Sequence, residues 1–181
     1  MAASDTKSRI LEIAAELFAR KGYTGTTIAD IAGELGTTTA ALYYHFPSKQ
    51  AILLGLLAGP YEAYTRLLDG LDSGATKPAE LLGALVDMCA SSRDLATIFD
   101  RDPTALALID QRLPRSSAEL TAQTVAALAG PEPGHAALIR ASAALAVTKD
   151  ATLAAVKLNG GTLPAADREE VVAAALRALE T

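Results

Sequence analysis

An all-α protein is the fold class that this sequence predicts: an N-terminal three-helix head containing a helix-turn-helix, then a larger helical body, about nine helices in all. Three observations predict it. Strand alternation is absent while Ala and Leu, both good helix formers, dominate. Apolar residues recur at three- and four-residue spacing along most of the chain. Gly, Pro and hydroxyl residues fall between those segments, where helices must start and stop.

The elements follow in order. Ile10, Ile13, Ala14, Leu17 and Phe18 share one helical face, so a first helix is expected from about Thr6 to Lys21, stopped by Gly22. Thr27 caps a second helix, with Asp30 three residues on as the partner of a capping box. Its inward residues are Ile28, Ile31, Ala32 and Leu35, and Gly36 ends it. A third, short helix spans about Thr38 to His45, and Ser48 is placed to cap a fourth that runs towards Leu71. Within that fourth helix Pro60 either kinks the rod or opens a new segment. The turn-rich stretch Gly70 to Thr76 marks a boundary. Further helices are expected over 78–90, 94–101, 104–113, 116–129, 135–158 and 165–179, separated by Pro103, Pro114, the Gly130–Gly134 run and Asn159-Gly160-Gly161. The head is placed at residues 1–50 and the body at 51–181.

Composition narrows the function classes. The chain has 181 residues, 50% hydrophobic and 20% charged, which is a globular balance. Its start lacks the apolar core of a secretory signal, and no apolar run reaches the roughly 18 residues that span a bilayer. A soluble, cytoplasmic protein is expected. The single Cys89 supports neither an intrachain disulfide nor a cysteine zinc cluster, and no metal or other cofactor is expected. With two histidines, no Gly-Lys-Ser/Thr phosphate loop and no Gly-x-Ser-x-Gly elbow, nothing supports an enzyme and no catalytic residue is assigned. The net charge of −5 lies entirely in the body, the first 50 residues holding five acidic and five basic groups. An acidic bulk suppresses binding to phosphate backbones irrespective of sequence.

The segment Thr37 to Lys49, Thr-Thr-Thr-Ala-Ala-Leu-Tyr-Tyr-His-Phe-Pro-Ser-Lys, carries the chemistry. Hydroxyls, two tyrosines and a histidine lie on a short rigid helix that follows a helix and a tight glycine turn. In such a motif the second helix enters the major groove with its N-terminal side chains towards the base edges. Those are Thr38, Thr39 and Ala40, with Tyr43, Tyr44 and His45 further along to reach bases or phosphates. Thr27 and Lys49 sit at helix N-termini, where the dipole and free N–H groups favour phosphate. Leu42 and Phe46 are core. The competing roles are packing of one tyrosine against the fourth helix, capping alone for Thr27, and plain surface exposure for His45 and Lys49.

With Arg9-Ile10-Leu11, Ala14-Ala15, Leu17-Phe18, Gly22-Tyr23, Thr26-Thr27, Ile31-Ala32, Gly36, Leu42-Tyr43-Tyr44-His45-Phe46 and Ser48-Lys49, the first 55 or so residues resemble the tetracycline-repressor (TetR-like) family of bacterial transcription regulators. The resemblance implies a homodimeric, all-helical repressor that binds a double-stranded DNA operator and whose body binds a small-molecule effector that weakens DNA binding. Two departures stand out. The recognition helix has no arginine, so the common bidentate guanine contact is missing. Ala51 replaces the acidic residue that often follows the Ser-Lys pair.

In the body, Tyr61, Tyr64, Met88, Cys89, Arg93 and Phe99 are candidate ligand-lining residues, each with ordinary core or surface as its alternative. Asp87, Lys149 and Asp150 interrupt apolar runs as anchors or ion pairs, and the thin aromatic content favours an aliphatic or acyl ligand. The two C-terminal helices are the expected homodimer surface, through Ala141, Ala144, Leu145, Leu153, Ala155, Ala173, Leu176 and Leu179, with cover of the body's own core as the alternative. The rival to a DNA-binding regulator is a helical protein-interaction or ligand-responsive module that binds no operator.

Overall fold

The computed structural model describes residues 3–73 and 77–180. Among them are ten α-helices, one 3-10 turn and no strand. The helices are α1 (Ala3–Lys21), α2 (Ile28–Leu35), α3 (Thr39–His45), α4 (Lys49–Asp69), α5 (Pro78–Ser91), α6 (Arg93–Arg101), α7 (Pro103–Asp110), α8 (Ser117–Ala129), α9 (His135–Leu158) and α10 (Ala165–Leu179). The expected boundary at 70–76 is a 3-10 turn over Gly70–Ser73; residues 74–76 lie outside the described residues.

Local chemistry explains most of the ends. Thr27 and Asp30 form the full capping box: the Thr27 hydroxyl accepts the Asp30 N–H at 3.0 Å, and the Asp30 carboxylate accepts the Thr27 N–H at 2.8 Å. Gly36 closes α2 in the left-handed region at φ 69°, where only glycine sits without strain. Thr38 caps α3 and Ser48 caps α4, each accepting a backbone N–H three residues on, at 3.2 and 3.0 Å. A second capping box, Ser116 with Glu119, opens α8.

Pro60 lies inside α4, which continues through it, so it does not open a separate helix. It carries no N–H, so the Leu56 carbonyl has no donor four residues on. One residue later, between Tyr61 and Glu62, the chain passes from one compact packing unit to another.

The first unit holds the chain up to Tyr61 together with Asp94–Pro114. This division differs from the sequence boundary at residue 50 in two ways. More than half of α4, up to Tyr61, packs with the head, through wholly buried Ile52 and Leu53, and so do α6 and α7, through Leu95, Ile98, Ala105 and Ile109. All of these join Ile10, Ala14, Leu17, Phe18, Ile31 and Leu42 in one apolar cluster. Three short helices bury too little surface to stand alone, and the added elements complete the core. Gly55 lets α4 come close: a Cβ there would lie 3.1 Å from Leu11 and 3.2 Å from Phe46.

The second unit comprises Glu62–Arg93 and the chain from Arg115 on. Its core is Leu81, Leu82 and Leu85 of α5, Leu128 of α8, Ala141 and Leu145 of α9, and Ala175 of α10. Leu176 and Leu179 pack against it from the edge. Ala141, Ala144 and Leu145, expected at a dimer face, are instead buried within the chain itself, because α9 is flanked by α5, α8 and α10. The large apolar side chains that α9 leaves exposed are Ile139 and Leu158, 57% and 86% accessible.

Candidate nucleic-acid interface

The helix α3 is held by its inner face alone. Leu42 is wholly buried and Phe46 nearly so, and these two anchors leave the rest of the helix outside. Thr38, Thr39, Ala40, Tyr43 and Tyr44 are all exposed, with Tyr43 at 51% and Tyr44 at 86%. Tyr44 therefore does not pack against α4. Its ring instead meets the half-buried His45 edge-on, 5.2 Å between centroids. Two phenol hydroxyls and the Thr39 hydroxyl thus stand on one short rod whose first turn has no acidic residue.

The threonines divide their duties. Thr38 is committed to its cap. Thr27 both accepts the Asp30 N–H and donates to the Asp30 carboxylate at 2.5 Å, so its hydroxyl is committed to the capping box as well. Lys21 reaches Asp30 from α1 at 2.9 Å, and these bonds hold the Asp30 carboxyl well below its ordinary range, the Thr27 hydroxyl most of all. Thr39, at the first turn and not a cap, keeps its hydroxyl exposed.

Lys49 has a different setting from the one expected of a phosphate anchor. Its ammonium donates to the carbonyl oxygens of Tyr23 at 2.8 Å and Thr26 at 2.7 Å, and lies 4.3 Å from the centre of the Tyr23 ring. Cation–π attraction and two carbonyl acceptors hold it, and burial lowers its affinity for a proton. Tyr23 in turn packs edge-on against Phe18 at 5.3 Å. The lysine thus ties the α1–α2 turn to the start of α4. One of its three N–H groups is left over from these two carbonyls.

Residues that the sequence reading passed over complete this turn. Gly25 approaches Lys21 so closely that a Cβ would lie 2.4 Å from the Lys21 carbonyl oxygen. Thr26, wholly buried, donates to the Gly22 carbonyl at 2.8 Å. From the α6–α7 corner, Asp102 accepts the Thr24 N–H at 2.6 Å, and Arg101 donates to the Arg20 carbonyl at 2.6 Å. The glycines and threonines were visible as turn formers. Asp102 was not, because nothing local ties it to a residue 78 positions earlier.

The candidate ligand-lining residues separate. Phe99 packs against the core of the first unit, which removes it from the group in the second. Tyr61 lies at the end of the first unit. Tyr64 and Met88 pack against the second unit's core. The Tyr64 hydroxyl and the Thr124 hydroxyl are 2.6 Å apart; Thr124 donates to the Leu120 carbonyl, so Tyr64 is the donor between them. Burial raises the pKa of Tyr64 and of the Cys89 thiol, which keeps both neutral. Arg93 points elsewhere, donating to the Gly161 carbonyl at 2.6 Å. Asp87 forms a two-bond ion pair with Arg168, at 2.6 and 2.7 Å, between α5 and α10. Lys149 and Asp150 are exposed. No described helix is long and apolar enough to cross a membrane.

Residues 10–56 match the family model described as bacterial regulatory proteins, tetR family. The HTH-type transcriptional repressor KstR2 of Rhodococcus jostii is 41% identical over 81 residues, which is 42% of this chain and 40% of that protein. The chain thus spans two fifths of the length of that curated relative. Across the whole fold, a TetR-family transcriptional regulator from Bordetella parapertussis superposes with a TM-score of 0.68 at 25% identity, covering 94% of each chain. The ketosteroid transcriptional regulator KstR2 of Mycobacterium tuberculosis superposes at 0.62 with 21% identity, covering 96% of this chain and 93% of that one.

Proposed function

We propose that this chain, which belongs to the tetR family of bacterial regulatory proteins through residues 10–56, is a sequence-specific DNA-binding transcriptional repressor released from its operator by a small-molecule ligand. The observation that carries this reading is α3: a helix anchored by Leu42 and Phe46 with Thr39, Tyr43 and Tyr44 exposed on its outer side. Base edges are met by the Thr39 hydroxyl and methyl, by the Ala40 surface and by the tyrosine hydroxyls. Thr38 presents its backbone N–H at a helix start, and His45 and the remaining N–H of Lys49 complete the phosphate contacts, while Thr27, whose N–H and hydroxyl are both committed to Asp30, holds the start of α2. Without a guanine-reading arginine, specificity leans on methyl contacts and on DNA shape.

A homodimer through α9 and α10 sets two copies of α3 into successive major grooves, about 34 Å apart. The exposed Ile139 and Leu158 support that surface. The effector site is assigned to the second unit around Tyr64, Met88 and Cys89; Tyr61 and Phe99, which belong to the first unit, and Arg93, which is turned to the Gly161 carbonyl, are left out of it. Apolar lining with one phenol suits an aliphatic or acyl ligand. Coupling of about 1–3 kcal/mol between the sites suffices for a 5- to 150-fold change in operator affinity.

The test is titration of the dimer against DNA from upstream of its own gene, by gel shift or fluorescence anisotropy. Selective binding over scrambled DNA is expected, and its absence rejects the reading in favour of an interaction module that binds no operator. Tyr43→Phe should weaken operator binding by about three- to tenfold, the worth of one hydrogen bond. Lys49→Ala should reduce the slope of log affinity against log salt by about one if its last N–H meets a phosphate.

A further inference from the structure

The α1–α2 turn is gripped from two sides by opposite charges. Lys49 takes the carbonyls of Tyr23 and Thr26 from the α4 side. From the α6–α7 corner the Asp102 carboxylate takes the Thr24 N–H, the amide between those two carbonyls, at 2.6 Å. The carboxylate is itself aimed: Thr104 donates to its other oxygen, which leaves the Thr24 hydroxyl to donate to Thr104 at 3.3 Å. Arg101 fastens the same corner to the last turn of α1 through the Arg20 carbonyl. Five bonds thus reach a stretch of seven residues, Arg20 to Thr26, from partners far along the chain. This stretch leads straight into the Thr27 cap, from which α2 and then α3 take their direction.

We infer that Asp102, which lies outside the matched residues 10–56, is a positioning residue for the DNA-reading head: by holding the Thr24 N–H it sets the turn that orients α2 and α3. The inference rests on the DNA-binding reading above. The hydrogen bonds of Asp102 go to Thr24 and Thr104, neither of which lies on α3, so its effect on α3 passes through the turn. Sign separates this role from a charge effect. Removing a negative charge near DNA strengthens binding, whereas loosening the turn weakens it.

The experiment uses the full chain with Asp102→Ala, Asp102→Asn and Thr104→Val, and two readouts. The first is hydrogen exchange at the Thr24 amide without DNA; the second is operator affinity as a function of salt. Asp102→Ala is expected to expose the Thr24 amide and to weaken operator binding about tenfold, the scale of one charge-assisted hydrogen bond. Its salt slope should stay as in the parent, since no phosphate contact is lost. Asp102→Asn keeps an acceptor oxygen and should restore binding to within about twofold of the parent. Thr104→Val, which keeps the carboxylate but frees one of its oxygens, should weaken binding less and in the same direction; it serves where the alanine variant does not fold. Operator affinity of Asp102→Ala equal to or above the parent's overturns the inference, as does a parent Thr24 amide that exchanges freely. If the parent binds no operator, the DNA-binding reading falls, and Thr24 exchange still decides whether Asp102 holds the turn.

Discussion

Threonine is used in opposite ways by the two packing units. In the first unit Thr24, Thr26, Thr27 and Thr38 bind across turns and helix starts, each satisfying a group that no helix would satisfy. In the second, Thr124, Thr148 and Thr152 are wholly buried in helix interiors, and each hydroxyl donates back to the carbonyl four residues earlier. Those carbonyls already accept a helical N–H, so the side chains there add little to what the backbone does. The first unit is shaped by turn chemistry, which fixes the direction of α3. The second is shaped by the packing of long helices.

The contrast is tested most severely at glycines. Gly25→Ala drives a Cβ to 2.4 Å from backbone that has nowhere to go, and should destabilise the protein by about 3 kcal/mol or more. Gly83→Ala in α5 meets only the tip of Arg168, at 3.0 Å, and a flexible side chain can give way. It should cost about 1 kcal/mol or less, the worth of the surface Asp87–Arg168 pair it disturbs. Urea unfolding followed by circular dichroism compares the two. Equal losses would erase the distinction between turn-shaped and helix-shaped units.

A smaller effect comes from the hydroxyls themselves. Thr26→Val leaves the Gly22 carbonyl without this donor in a buried site and should cost about 1–3 kcal/mol. Thr148→Val leaves the Ala144 carbonyl its backbone donor, so a loss below about 1 kcal/mol is expected in the same unfolding assay. A Thr148→Val variant as damaged as Thr26→Val would show that the buried α9 hydroxyls hold the second unit together.

The smallest expected effect is in acid. Asp102 is held at about 2, below its ordinary 3.8, chiefly by the Thr104 hydroxyl and then by the Thr24 N–H. A carboxyl lowered on folding adds stability that is complete above its unfolded value and is lost as pH falls through its folded one. The thermal midpoint should therefore drop between about pH 4 and about pH 2, with a shallower drop in Asp102→Asn. Asp87, lowered by its bonds to Arg168, contributes in the same direction from the second unit. An identical acid profile in Asp102→Asn would remove Asp102 from the groups that bind fewer protons when folded.

Much of this was legible in the sequence. The Thr27–Asp30 box, the Gly36 stop, the Ser48 cap and the limits of α9 and α10 follow from rules that act within four residues. The inward places of Leu42 and Phe46 and the outward place of Tyr43 follow from helical period. Tyr44 was ambiguous because an adjacent pair straddles the boundary between faces, and only packing put it outside. Ala141, Ala144 and Leu145 were misjudged because an apolar α9 face looks the same whether its own chain or a second copy covers it.

The sequence by itself determined the helices, their caps and the exposed chemistry of α3, since each depends on propensity, period and hydrogen bonds between near neighbours. Tertiary structure alone decided that α6 and α7 belong with the head, that Lys49 turns inward onto two carbonyls, and that Asp102 holds the Thr24 amide. Those facts depend on which distant segments share a core. A lone aspartate before a proline carries no local sign of the partner it will meet 78 residues away.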